Sequence, residues 1–275
     1  MTIPAGKVME LRNITGAGMM DCKRALQETN GDMEQAQDYL RKKGISIAQK
    51  KSDRATNEGG IGVSFDEKHH QAAIVRLACE TDFVARNEQF DALLATFGEQ
   101  VLAKGDQDVL DQQALDGSGT VSELLTRSIT TLGENLQFIE ASRLELSGEG
   151  YIGGYVHSNK KIGVLVAISG SGDLETLARD VAMHIAASNV HAISADDLDP
   201  GLVAKEKEIL IAQAKESGKP DDIIEKMVQG RINKFVKEIV LLDQPFVKNP
   251  DQTVAQVVKD CGADLKVEQF LKFHF

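Results

Sequence analysis

Residues 72–87 read Ala72-Ala73-Ile74-Val75-Arg76-Leu77-Ala78-Cys79-Glu80-Thr81-Asp82-Phe83-Val84-Ala85-Arg86-Asn87, and the periodicity changes along them. Ala72 to Cys79 is a short apolar run broken only by Arg76, the pattern of a strand. Beyond the junction, Phe90, Leu93, Leu94, Phe97 and Val101 recur at helical spacing. Asn87 stands where the cap of that helix belongs. Between strand and helix lies a polar segment with a Phe83-Val84 pair at its centre. On pattern alone the pair is either a core anchor behind a cap or a loop offering an aromatic to something else. Asp82 likewise has two candidate roles, helix cap or exposed acceptor. The Asn87 cap leaves it more than a turn too early for the first.

Working outward, Ile61-Gly62-Val63-Ser64-Phe65 alternates like a strand, Asp66 to His69 reads as a turn, and His70 to Cys79 returns. Thr120-Val121-Ser122-Glu123 has the form of a capping box, and Leu124, Leu125, Ile129 and Leu132 continue a helix that Gly133 can end. Leu136, Phe138, Leu144 and Leu146 follow as a strand. A second unit repeats the plan. Tyr151 to His157 and Ile162 to Ile168 read as a hairpin across Ser158-Asn159-Lys160. Asp173 is then expected to cap a helix through Leu174, Leu177, Val181 and Ile185. Two units of hairpin and helix make an α+β core of two related halves, each with an antiparallel sheet.

The flanks differ in texture. Residues 1 to about 44 read as three short helices, the second carrying Met19, Cys22, Ala25 and Leu26 and ending at Asn30-Gly31. Asp32 and Gln35 resemble a capping box for the third, which Gly44 is expected to close. Residues 45–60 then read as a polar linker. From Arg41 to Arg54 there are six Lys and Arg against one Asp, a pattern that more often marks a solvated connector than a binding site. Leu202 to Ser217 and Asp221 to Ile239 read as a charged helical hairpin joined at Gly218-Lys219-Pro220, so its helices run antiparallel. A helix from Thr253 and a strand ending at Phe275 close the chain. The expected divisions are residues 1–54, 55–140 and 141–275, with the hairpin inserted at about 195–230.

Composition narrows the function. A net charge of −11 argues against nonspecific affinity for nucleic acid or anionic membrane. Cys22, Cys79 and Cys261 are odd in number and form no CxxC pair, which fits a reducing, cytoplasmic setting better than a disulfide framework or zinc site. The N-terminus lacks a signal-peptide pattern, and no apolar run reaches the ~18 residues of a membrane span. No enzyme constellation is legible. Gly16-Ala17-Gly18 lacks a third glycine and follows a helix. His69-His70 falls in a turn where solvated histidines are the ordinary case, without metal-ligand spacing. His184 sits near a helix end, where it can serve free carbonyls. No catalytic residue, cofactor or metal is therefore expected. What remains suits protein binding: Phe83, Met19-Met20 after a glycine turn, and the projecting hairpin. Core packing stays open for each, and leads for Met19-Met20.

Two long stretches carry a resemblance. Leu11 to Leu26, LRNITGAGMMDCKRAL, and Thr81-Asp82-Phe83-Val84 resemble the two signatures of bacterial elongation factor Ts. The likeness runs on through Leu132-Gly133-Glu134-Asn135, Met183 to Ser188, and Gly218 to Arg231. It implies a translation elongation factor without covalent chemistry, the guanine-nucleotide exchange factor of elongation factor Tu. The implied architecture is an N-terminal three-helix ubiquitin-associated-like domain, two related α+β subdomains and an inserted coiled-coil hairpin. The resemblance also implies that Thr81, Asp82, Phe83 and Val84 meet the GTPase beside its magnesium, with Phe83 wedging between helices. Further partner positions implied are Met19, Met20, Lys23, Leu132, Gly133, His157, Met227 and Val228. A dimer of heterodimers is the assembly it allows. Other ligands for a ubiquitin-associated-like module are the alternative, which leaves the duplicated core unexplained. Two departures stand out. Arg76 and Ala78 occupy strand positions where the family commonly has Glu and Asn, which questions side-chain support for the Thr81–Val84 segment. Many relatives continue past the last strand with a partner-touching helix, and this chain stops at Phe275, so that contact is expected to be missing.

Overall fold

The computed structural model describes residues 3–215 and 220–275. The chain is α+β, with helices first and then two three-stranded antiparallel sheets and a small hairpin. The opening helices are α1 (Ala5–Thr15), α2 (Met19–Glu28) and α3 (Met33–Lys51). Gly16 ends α1 in the left-handed region at φ 67°, and Asn30 and Gly31 follow α2 with φ 53° and 84°. Asp32 accepts a hydrogen bond from Gln35 N at 2.9 Å and so caps α3. Val8, Leu11, Cys22, Ala25, Leu26 and Ala36 form a small core of their own.

The linker expected over 45–60 is a correction. Helix α3 passes through Gly44 and ends at Lys51, so most of the basic run is helical. Gly44 is a contact point rather than a stop. A Cβ there would lie 3.4 Å from Thr130 Oγ1 of α6 (Val121–Leu132), so its bareness lets the two helices approach. The sequence pattern could not distinguish these uses, because glycine serves both.

The first sheet has the order β1-β2-β3, from β1 (Glu58–Phe65), β2 (Gln71–Cys79) and β3 (Leu136–Glu145), all antiparallel. The long helix α5 (Glu88–Lys104) covers it, with Phe90, Phe97 and Val101 fully buried. Asn87 caps α5 through Gln89 N at 2.8 Å, and the Thr120–Glu123 capping box starts α6. The second sheet has the order β4-β5-β8, from β4 (Gly150–Val156), β5 (Ile162–Ser169) and β8 (Lys266–His274), covered by α7 (Glu175–Ala187). One glycine in each half sets the helix close on its hairpin. A Cβ on Gly98 of α5 would collide with Ser64 Oγ, and one on Gly153 of β4 would meet Ala178 Cβ at 2.5 Å. The start of α7 departs from expectation: its cap position is Leu174, without a side-chain cap bond, and Asp173 lies outside.

The sheets meet across Ile61, Ile74, Leu144, Ile152, Leu165 and Phe273. His69, expected to be solvated, is part of this seam. Its ring stacks between Phe65 and Tyr151, with centroids 4.8 and 4.3 Å away, and its Nδ1 lies 3.0 Å from Ile152 O. The turn brings it to the second half because Ile152 N and Leu146 N bond to the His69 and His70 carbonyls.

Two helices project from the second half: α8 (Pro200–Lys215) and α9 (Asp221–Ile239). Leu210, Ala214, Ile224, Val228 and Ile232 pack between them, and Val203 meets Val236 towards their base. Helix α9 ends at Ile239, where the sequence pattern puts it, so the inserted pair runs past the bound expected near 230. Apart from Pro220, the turn expected at Gly218-Lys219-Pro220 lies outside the described residues. The chain continues through the hairpin β6 (Pro245–Phe246) and β7 (Asn249–Thr253), then α10 (Val254–Cys261), capped by Thr253 with Gln256. Among the described residues no helix is long and apolar enough to cross a membrane.

Candidate partner-binding surface

The junction between β2 and α5 is a single helical turn, α4 (Asp82–Ala85), rather than a loop. Thr81 is its cap: the side-chain oxygen accepts from Val84 N at 3.4 Å. The turn therefore has a face that looks in and a face that looks out. Ala85 is buried, and Val84 packs against the core beneath α5. Phe83 looks out and is 83% exposed, far more than any other large apolar side chain described. Asp82 is half exposed and pairs with Arg86 at 3.1 Å. So within Thr81–Val84 the two polar-and-aromatic centre residues face solvent, and the outer two hold the turn in place.

Thr81 is anchored at every polar atom. Its amide donates to Glu134 Oε2 at 3.0 Å and its hydroxyl to Glu134 Oε1 at 2.6 Å. Its carbonyl accepts from Ala85 N at 3.2 Å and from Cys79 Sγ at 3.2 Å. Glu80 N adds a third donor to Glu134 at 3.1 Å. The link is returned: Asn135 N donates to Glu80 Oε1 at 2.6 Å. Asn135 is 3% exposed, and its side-chain amide donates to Ser52 O and Arg54 O at 3.3 and 2.9 Å. Burial pushes the Cys79 thiol up to about 11, and the Glu134 carboxylate nearby adds to the effect. That thiol stays protonated at neutral pH and serves as a weak donor, not a nucleophile.

The same cluster gathers other sequence-predicted residues. Gly133 ends α6 at φ 79° and is exposed, its carbonyl accepting from Lys51 Nζ. Leu132 packs half-buried in the same apolar cluster as Val84. The α1–α2 turn approaches this end of α6, since a Cβ on Gly16 would sit 3.7 Å from Thr131 Oγ1. Beyond that turn Met19 and Met20 open α2, 39% and 67% exposed, so the core packing that led on pattern does not hold for them. Lys23 is exposed one turn on, three and four residues away on the same helical face.

Other predicted positions lie elsewhere. His157 is exposed in the β4–β5 turn, with Nδ1 2.9 Å from Asn159 Oδ1. Met227 is half-buried on α9. Val228 is a correction: at 2% exposure it fills the α8–α9 core and offers no surface to a partner. His184 is another. It is buried in the last turn of α7, where it serves no free helix carbonyl. Its Nδ1 accepts from Val247 N at 3.1 Å and its Nε2 faces Gln244 Oε1 at 2.9 Å. Burial lowers its pKa, although the Gln244 bond opposes this. Arg76, one of the departures, pairs with Glu140 and lies over the Phe275 ring, and Ala78 is buried. The Thr81–Val84 turn takes its support from Glu134 instead. Sequence reasoning gave Glu134 and Asn135 no role of their own, because their partners lie 53 to 83 residues away.

An exposed aromatic on a turn so firmly held has the features of an anchor for a protein partner. The family model described as Elongation factor TS matches residues 80–275. Curated relatives extend the likeness over nearly the full length. Elongation factor Ts of Hyphomonas neptunium is 49% identical over 271 residues, covering 96% of this chain and 89% of the relative. Those of Parvibaculum lavamentivorans and Mesorhizobium japonicum are 48% and 46% identical, covering 98% and 99% of this chain and 92% of each relative. The chain belongs to the elongation factor Ts family, a family of translation elongation factors.

Proposed function

We propose that this protein is a guanine-nucleotide exchange factor that binds elongation factor Tu in its GDP form and promotes GDP release. The observation that carries the reading is Phe83, left in water on an anchored turn. Exposing so large an apolar side chain has no folding benefit, and its burial in a partner is worth roughly 1.5–3 kcal/mol. Phe83 wedges between helices of the GTPase, Asp82 accepts hydrogen bonds beside it, and the magnesium and phosphate site is disturbed. Met19, Met20, Lys23, Leu132 and Gly133 extend the interface from the side of α2 and α6. His157 and Met227 add contacts further off. A single Phe does not release a tightly held nucleotide, so this wider surface must contribute. The exchange factor does no covalent chemistry of its own.

The cycle follows from linkage. If the factor weakens nucleotide binding by some ratio, nucleotide weakens factor binding by the same ratio. GDP therefore leaves as the factor docks, and GTP expels it. The finer architecture belongs to this proposal: a ubiquitin-associated-like unit in α1 to α3, two related subdomains, and a coiled-coil hairpin in α8 and α9. The order hairpin, covering helix, third antiparallel strand in each sheet supports the relatedness.

The test is release of fluorescently labelled GDP from elongation factor Tu. The wild type accelerates release, and Phe83→Ala slows it with little change in unfolding. No acceleration by the wild type would sink the proposal.

A further inference from the structure

We infer that Glu134 is a positioning residue for exchange, holding the Phe83 turn in the outward conformation that the partner meets. The inference rests on the reading of Phe83 given above and deepens it. It starts from a carboxylate with an unusual task. Glu134 lies just past the end of α6, yet both its oxygens are spent on the β2–α4 junction. Oε1 takes the Thr81 hydroxyl at 2.6 Å, and Oε2 takes the Thr81 and Glu80 amides at 3.0 and 3.1 Å. A carboxylate that accepts three donors makes charge-assisted bonds, the strong class.

The bonds run on towards Phe83. Because the Thr81 hydroxyl donates to Glu134, its lone pairs are left to face the turn, and one accepts Val84 N at 3.4 Å. That bond is long, so the cap alone holds the turn weakly. A helix of four residues has little stability of its own, since nucleating a single turn is unfavourable. Something outside the turn must fix it. Glu134 orients the capping hydroxyl, and the capping hydroxyl orients the turn that carries Phe83.

The cluster also sets where the turn stands relative to the rest of the interface. Glu80 Oε1 takes Asn135 N at 2.6 Å, and the Asn135 side chain takes hold of Ser52 O and Arg54 O just past α3. Lys51 reaches the Gly133 carbonyl. The Phe83 turn, the Leu132-Gly133 end of α6 and the close of the N-terminal helices thus share one hydrogen-bond cluster. A pre-ordered interface loses less freedom on docking than a mobile one.

The experiment uses the full chain and the labelled-GDP assay, with Glu134→Ala, Thr81→Val, Thr81→Ser, Phe83→Ala and the Glu134→Ala/Phe83→Ala pair. Glu134→Ala and Thr81→Val are expected to slow GDP release about tenfold, the order carried by a charge-assisted hydrogen bond. Thr81→Ser, which keeps the hydroxyl, restores it. The double variant is expected to be no slower than Phe83→Ala alone, since Glu134 acts through Phe83. Hydrogen exchange of the free protein supplies a second readout. In Glu134→Ala the amides of Val84 and Ala85 exchange faster, while those of β2 stay protected. A normal exchange rate for Glu134→Ala beside a slow Phe83→Ala overturns the Glu134 inference alone. Additive losses in the double variant overturn it too, since a purely structural role would act independently of Phe83. A Phe83→Ala variant as fast as the wild type overturns both this inference and the reading beneath it.

Discussion

Each half of the core passes from the second strand of a hairpin into a covering helix, and the two passages are built differently. In the first half, β2 leads through α4 into α5, and the passage shows Phe83 to solvent on a turn held from outside. In the second half, β5 leads through Gly170-Ser171-Gly172-Asp173-Leu174 into α7. Its large apolar residue, Leu174, is turned inward and buried. Gly170 lies at φ 114° and packs close, for a Cβ there would meet Leu265 Cδ2 at 2.7 Å. One junction spends its apolar side chain on the core. The other withholds it and is stabilised by hydrogen bonds to Glu134. Where the central apolar side chain of a turn is left in water, polar contacts must add to the packing of its neighbours, here Val84 and Ala85.

The contrast is open to test by substitution, and the largest effects belong in the core. Phe90→Ala, at the buried start of α5, is expected to cost about 3–5 kcal/mol in urea unfolding, and Leu174→Ala about 2–5 kcal/mol. A small loss at Leu174 would mean that the second junction is not held by packing, and the contrast would fail. Next comes Asn135→Ala. It removes the donor to the Ser52 and Arg54 carbonyls, which lie on exposed residues that water can reach, and the expected loss is about 0.5–1.5 kcal/mol per bond. An unchanged midpoint would show that the cluster around the first junction is dispensable for folding.

The third effect is a pH dependence confined to the second half. His184 must stay neutral, because Nδ1 accepts the Val247 amide and a proton there would break that bond. Its folded pKa lies below its ordinary value of about 6.5, for reason of burial first. As pH falls through about 6.5 the unfolded chain takes up the proton before the folded one does. Stability is therefore lost on acidification, with a slope of at most about 1.4 kcal/mol per pH unit. The loss ends where the folded pKa is reached. Comparing His184→Gln with the wild type between pH 7 and pH 5 isolates this term, and equal slopes would remove it.

The smallest stability effects belong to the exposed face of the first junction. Phe83→Ala is expected to shift stability by no more than about 0.5 kcal/mol, as for surface changes in general. Asp82→Ala removes only the exposed pair with Arg86, worth about 0–1 kcal/mol. Slower GDP release from both variants, at nearly unchanged unfolding, would sharpen the contrast. A core-sized loss for Phe83→Ala would erase it.

Much of this was legible in the residues. The strand to Cys79, the Asn87 cap, the capping box at Thr120 and the hairpin at Tyr151 all depend on neighbours within a few positions, and local physics decides them. The paired helices were legible for the same reason, down to the end of the second at Ile239. Three readings failed where one residue type serves two ends. Gly44 read as a helix stop, but a glycine inside a helix also admits a close neighbour, here Thr130. His69 read as solvated, but its turn folds onto Tyr151 from the other half. Val228 was implied as a partner contact, but the helical face it occupies is taken up by the other helix of the pair.

The sequence by itself determined the α+β order of elements, the family signatures in Leu11 to Leu26 and Thr81 to Val84, and the presence of an aromatic where a polar junction should be. Whether Phe83 faced in or out was not written there, since its neighbours allow both. Tertiary structure decided it. Glu134 arrives from a helix end more than fifty residues away in sequence, and its carboxylate fixes the Thr81 cap. Val84 and Ala85 fill the space beneath the turn, so that Phe83 is the side chain left in water. Hydrogen bonds between distant segments have no periodicity, and only the folded chain brings their ends within reach.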